Sequence, residues 1–85
     1  MFEIKFDSQA EKFLTNCEGE ILDRISEKIE TLKQNPVPHN SKRILGCEIP
    51  TFRIRIGKYR TLYRINYEKN LIIVVKIDKR EKVYD

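Results

Sequence analysis

Glycine and proline are scarce in this 85-residue chain, three of each, and there are only two cysteines and one histidine. Each shortage removes a class of chemistry. His39 stands alone in a proline-bearing stretch, so a mechanism using paired histidines as acid and base lacks its second partner. Three scattered glycines make no glycine-rich phosphate loop. Cys17 and Cys47 allow at most one bridge and fit no metal-ligand spacing, and no nucleophile motif or acidic cluster takes their place. Metal-dependent nuclease chemistry is therefore not expected, and no cofactor is implied. No apolar run nears the roughly 18 residues of a membrane span. The opening MFEIKFDSQAEKF lacks the basic-then-apolar pattern of a secretory signal. The expectation is a cytoplasmic protein without membrane contact, its two thiols free and partly buried.

What is present is a globular composition, 40% hydrophobic and 35% charged, which places the chain outside the disordered class. Its length suits one small domain, residues 1–85. Charge is unevenly shared. Residues 1–41 carry five Lys or Arg against eight acids, a net −3, while residues 42–85 carry twelve against five, a net +7. Such asymmetry suggests a polyanionic partner, with a merely solvated basic surface as the plain alternative.

Local patterns give the order β-α-α-β-β-β, an α+β fold in which two N-terminal helices pack on an antiparallel sheet. FEIKF alternates Phe2, Ile4 and Phe6 against Glu3 and Lys5, as a half-buried strand does. Ser8 with Glu11 reads as a capping box, Asp7 adds negative charge at the helix start, and a short helix is expected over 9–16. Ile21, Leu22, Ile25, Ile29 and Leu32 form one stripe at helical period, giving a longer helix over 20–34. Pro36 and Pro38 end it. KRILGCEI reads as the next strand, interrupted at Pro50, followed by FRIRI, a Gly57-Lys58 turn of the II′ kind, and YRTLYRINY. LIIVVKI, apolar almost throughout, is expected to be a central strand with Ile73 in the core. DKREKVYD forms a charged tail.

The turn at Gly57-Lys58 sets Ile56 opposite Tyr59, Arg55 opposite Arg60, Ile54 opposite Thr61 and Arg53 opposite Leu62. Arg53, Arg55, Arg60 and Arg64 then share one face, with no Glu within the hairpin to relieve them. Directly opposed like charges destabilise a sheet. Either each arginine points into screening water, or the face is an anion site; the unmixed charge favours the anion site. The planar, permanently charged fork of arginine suits phosphate.

TFRIRIGKYRTLYRI followed by LIIVVKIDKREKVYD resembles the RelE/ParE superfamily of toxins from type II toxin–antitoxin pairs. The element order and length agree along essentially the whole chain. The resemblance points most closely to the RelE branch, whose members cleave messenger RNA in the ribosomal decoding site. It implies a metal-independent endoribonuclease with Arg53, Arg55, Arg60, Arg80 and Tyr84 as catalytic residues. The attacking group would be the 2′-hydroxyl of the RNA itself. Arg53, Arg60 and Arg80 would stabilise charge, and Tyr84 would orient or deprotonate the nucleophile or stack on a base. Tyr84 as an exposed aromatic without a role is the alternative. Well-known members carry lysines where Arg53 and Arg55 stand; arginine keeps its proton, so a strand-borne base does not transfer to this chain. The sequence stops at Asp85, without the extra C-terminal helix of some relatives. The resemblance further implies a cognate RelB-like antitoxin in a hetero-oligomer, and mRNA on the ribosome with 16S rRNA contacts. Two other readings stay open: a ParE-like poison of DNA gyrase acting by protein contact, and a catalytically silent RNA-binding relative.

Overall fold

The computed structural model describes residues 1–79. Its elements are β1 (Glu3–Phe6), α1 (Ser8–Thr15), α2 (Gly19–Thr31), β2 (Ser41–Arg43), β3 (Thr51–Ile56), β4 (Tyr59–Asn66) and β5 (Leu71–Lys79). The five strands form one sheet in the order β1-β5-β4-β3-β2. It is a mixed sheet of five strands, which corrects both the expected antiparallel arrangement and the four strands of the expected β-α-α-β-β-β order. β2 through β5 are antiparallel neighbours, but β1 lies parallel to β5, with Ile4 beside Ile72 and Phe6 beside Val74. A parallel pair needs a long crossover, and here the two helices and three other strands supply it.

Helix α1 begins one residue earlier than expected. Asp7, not Ser8, is the cap: its carboxylate accepts from the Ser8 N–H at 3.0 Å, so Ser8 already lies inside the helix. Helix α2 stops at Thr31, and the amides of Leu32, Lys33 and Gln34 bond three residues back in tightened turns. The apolar stripe of α2 delivers Ile25, Ile29 and Leu32 to the core, whereas Ile21 stays 41% exposed.

The expected strand over 42–49 is reduced to Ser41–Arg43. Beyond it the chain leaves the ladder as a loop that turns at Gly46, whose φ is +85°, and closes through Ile44 N–H to Thr51 O at 2.8 Å. Pro50 has no N–H to continue the ladder. The hairpin register between β3 and β4 follows the turn at Gly57-Lys58, with Arg55 opposite Arg60 and Arg53 opposite Leu62. Gly57 alone of the two turn residues has positive φ, +61°, the pattern of a II′ turn.

The sheet's inner face carries Ile54, Ile56, Tyr63, Ile65, Ile72, Val74 and Ile77 against the helices. Each such fully buried aliphatic side chain is worth about 1.5–3 kcal/mol over exposure. Tyr63 sits at the centre, stacked on Phe52 with centroids 5.9 Å apart, and its hydroxyl donates to Pro36 O at 2.7 Å. That bond ties the proline loop to the core. Ile73 corrects another expectation. It pairs with exposed Arg64 on the outer face and is only half-buried.

A β-bulge explains why β5 changes character midway. Leu62 pairs with Lys76 and Tyr63 with Val74, so Val75 is an extra residue without an opposite number. The extra residue reverses the alternation. Ile72 and Val74 point inward before it and Ile77 after it, while Lys76 and Asp78 are turned outward.

Candidate active site

The outer face of β3, β4 and the second half of β5 gathers the charged side chains. Arg53 and Arg55 lie two apart on β3, Arg60 and Arg64 on β4 share their side, and Arg55 and Arg60 are direct cross-strand partners. Lys42 of β2 pairs with Arg53 at one flank; Lys76 of β5 pairs with Leu62 at the other. The sheet therefore brings Arg53, Arg55 and Arg60 to one place. Arg80 and Tyr84 lie outside the described residues.

Exposure divides the arginines. Arg55 and Arg64 are exposed, but Arg53 and Arg60 each keep only 8% of their surface accessible. Taking a guanidinium out of water is costly unless opposite charge compensates it. For Arg60 part of that compensation comes from Asp78, its cross-strand partner on β5, whose carboxylate lies 3.8 Å from Nε. The same carboxylate lies 3.7 Å from Lys76 Nζ. The reading in which every arginine of the face simply points into water thus fails at Arg53 and Arg60.

Sequence reasoning missed Asp78. Counting charges within the hairpin left the third strand out, and plain alternation from Ile72 and Val74 would send Asp78 inward. The available signal was Ile77, an apolar residue out of phase with Ile72 and Val74, which betrays a bulge.

Local bonds hold β5 in place where β1 has already ended. Asp7 N–H bonds Val74 O at 2.8 Å as the chain leaves β1. Gln9 of α1 then uses its side-chain amide as a substitute strand: Nε2 donates to Ile77 O at 3.1 Å, and Oε1 accepts from Ile77 N–H at 2.9 Å. The backbone is thereby fixed one residue before Asp78.

Among the described residues no three His, Cys, Asp or Glu side chains gather as a metal site. His39 is exposed in its loop and belongs to no such group. Cys17 and Cys47 are free, Cys17 half-buried and Cys47 exposed. Tyr63 has altered acidity, burial pushing its phenol up to about 12, but it lies on the inner face and has a structural role. No helix among the described residues is long and apolar enough to cross a membrane.

Beside the charged face, at the ends of β4 and β5, an open cleft of about 760 Å³ runs between α1 and α2. Phe13, Cys17, Ile21, Tyr59 and Ile77 line it, with Phe13 and Tyr59 meeting edge to face at 5.7 Å. Asp78 lies on its rim, so the apolar cleft and the cationic face share a border.

Comparison with known proteins agrees with this architecture. Residues 4–84 match the family described as ParE toxin of type II toxin-antitoxin system, parDE. A candidate toxin RelE1 of Methanocaldococcus jannaschii is 35% identical over 86 residues, covering 98% of this chain and 94% of the relative. The archaeal RelE–RelB complex of Pyrococcus horikoshii OT3 contains a chain that superposes with a TM-score of 0.84 at 24% identity, over 96% of this chain and 98% of that one. In the RelBE2 toxin–antitoxin complex of Mycobacterium tuberculosis the TM-score is 0.76 at 28% identity, over 93% and 98% of the two chains.

Proposed function

We propose, from the premise that this chain belongs to the ParE toxin family of type II toxin–antitoxin systems and lies on the RelE side of the RelE/ParE superfamily, that it is a metal-independent endoribonuclease cutting mRNA in the ribosomal decoding site. One observation carries the reading: Arg53, Arg55 and Arg60 converge on one face of two paired strands, and two of them are nearly buried there. Buried, permanently charged guanidinium groups are costly to keep for solubility alone. They are useful where charge builds up on a phosphorane.

In the proposed reaction the 2′-hydroxyl of the RNA gives up its proton and attacks the adjacent phosphorus, the bond to the 5′-oxygen breaks, and that oxygen takes up a proton from water, leaving a cyclic phosphate and a free 5′-hydroxyl. Arg53 and Arg60 hold the non-bridging oxygens. Arg55, exposed at the rim, steers the backbone in. None of these three strand arginines can take the proton, because arginine keeps its charge. We assign that task to Tyr84, with Arg80 completing the charge stabilisation. A phenol ordinarily ionises near pH 10, so the base role requires clustered cations to lower it. No cofactor enters.

The partner proposed for the resting state is a RelB-like antitoxin, in line with the RelE–RelB complexes among the similar structures. An amphipathic antitoxin helix would lay its apolar side into the cleft between α1 and α2 and cover the neighbouring cationic face with its acidic residues. In the active state the partners are mRNA on the ribosome and 16S rRNA. Both settings are cytoplasmic, and the whole chain acts as one domain.

The matching family's name, which carries parDE, favours a second reading in which the chain poisons DNA gyrase by protein contact. Primer extension on mRNA from cells expressing the chain separates the two. The ribonuclease reading expects cuts that follow the reading frame and require translation. It also expects Arg60→Ala to lower cutting on the order of 10²–10³-fold while antitoxin binding is kept. Intact mRNA together with broken DNA would establish the gyrase poison instead.

A further inference from the structure

We propose that Asp78 is a positioning residue that occupies the phosphate site in the free protein, holding Arg60 and Lys76 converged until RNA takes its place. The inference rests on the ribonuclease reading for the identity of the incoming anion, but not for the geometry. The carboxylate presents one oxygen to each cation, Oδ1 at 3.8 Å from Arg60 Nε and Oδ2 at 3.7 Å from Lys76 Nζ. Two non-bridging oxygens of a phosphodiester would meet the same pair of cations in the same way. Both separations exceed the roughly 2.7–2.9 Å of a charge-assisted hydrogen bond. Little hydrogen bonding is therefore lost between these groups when the cations turn to a phosphate.

Two features of the fold show that the placement is built in. The bulge at Val75 turns Lys76 and Asp78 outward; without it they would follow Ile72 and Val74 into the core. The two hydrogen bonds from Gln9 then fix the backbone at Ile77, immediately before Asp78. A physical need accompanies this design. Arg55 stands directly opposite Arg60, and like charges so placed push apart. A carboxylate at the other side of Arg60 draws the guanidinium back and keeps it where a phosphate will need it.

Anion binding and turnover should therefore respond in opposite directions to loss of this charge. Binding is measured by fluorescence anisotropy with a short RNA whose riboses are 2′-O-methylated, so that it cannot react. Asp78→Asn should bind roughly tenfold tighter at low salt, the difference shrinking as salt is raised. Its single-turnover cleavage of ribosome-bound mRNA should fall, and Asp78→Glu should recover part of it. Binding that is unchanged or weaker in Asp78→Asn, or cleavage that is undiminished, would overturn the role. On the native chain, the Arg60 Nε–H resonance should shift on adding the methylated RNA; a resonance deaf to it also overturns the role. If the wild-type chain cuts no mRNA, the ribonuclease reading fails, yet the binding comparison still decides what Asp78 does. If the wild type cuts and the binding comparison fails, only this inference falls.

Discussion

A cross-strand residue pair fixes two side chains to one face, and at this scale the sequence was most informative about the arginines. Alternation assigned Arg53, Arg55, Arg60 and Arg64 to one side without any knowledge of what else the sheet contains. Their burial was not readable, because it depends on neighbours outside the hairpin, Asp78 among them. Tyr63 shows the same limit on the other face. Nothing in YRTLYRI says that one tyrosine is wholly enclosed and bonded to Pro36 O. The enclosure has a measurable consequence. An unfolded chain releases that phenolic proton near pH 10, whereas the folded protein holds it to about 12. The stability tied to the neutral phenol is therefore complete below about pH 10 and is lost as pH rises through about 12. Urea midpoints followed by circular dichroism should fall across that interval in the wild type and fall less in Tyr63→Phe. The same variant should cost about 0.5–1.5 kcal/mol at neutral pH through the missing hydrogen bond.

At the level of whole elements, the hairpin was legible in full and its neighbours only in outline. Gly57-Lys58 dictates a register, and a register dictates every opposition along two strands. Gly57→Ala tests that control. Its φ of +61° strains an L-residue, and the new Cβ would stand 3.3 Å from Arg24 Nη1. A loss of about 1–2 kcal/mol is expected, read by chemical denaturation. Elsewhere local signals competed. Asp7 and Ser8 are both good caps, and the first of them won. KRILGCEI has a strand's composition, but Gly46 bends it away and Pro50 withholds a donor, so Leu45 and Ile49 end exposed in a loop. In LIIVVKI the unbroken apolar run concealed which side faces the helices, and the bulge at Val75 could be inferred only from the phase of Ile77.

For the molecule as a whole, the order β-α-α-β-β-β falls one strand short of the five observed, but the helix count and the layer of two helices on a sheet were both present in the sequence. The direction of β1 was not. It depends on which sheet edge the first strand joins, and that choice rests on contacts far apart in the chain. Core position can be checked by truncation on either side of the same strand. Ile72→Ala should cost about 2–5 kcal/mol, as fully enclosed aliphatic truncations do, and half-covered Ile73→Ala markedly less. Equal losses would place both residues in one core and contradict the outward turn of β5 described above.

The pairing of Glu3 with Leu71 joins segments from nearly opposite ends of the chain. Loops that long close slowly, and topologies dominated by distant contacts fold late. During synthesis the first strand must wait unpaired until the fifth has been translated and has cleared the exit tunnel. A ribosome making this protein is therefore attached to a chain whose sheet stays incomplete, and whose finished surface does not exist, until that fifth strand has emerged.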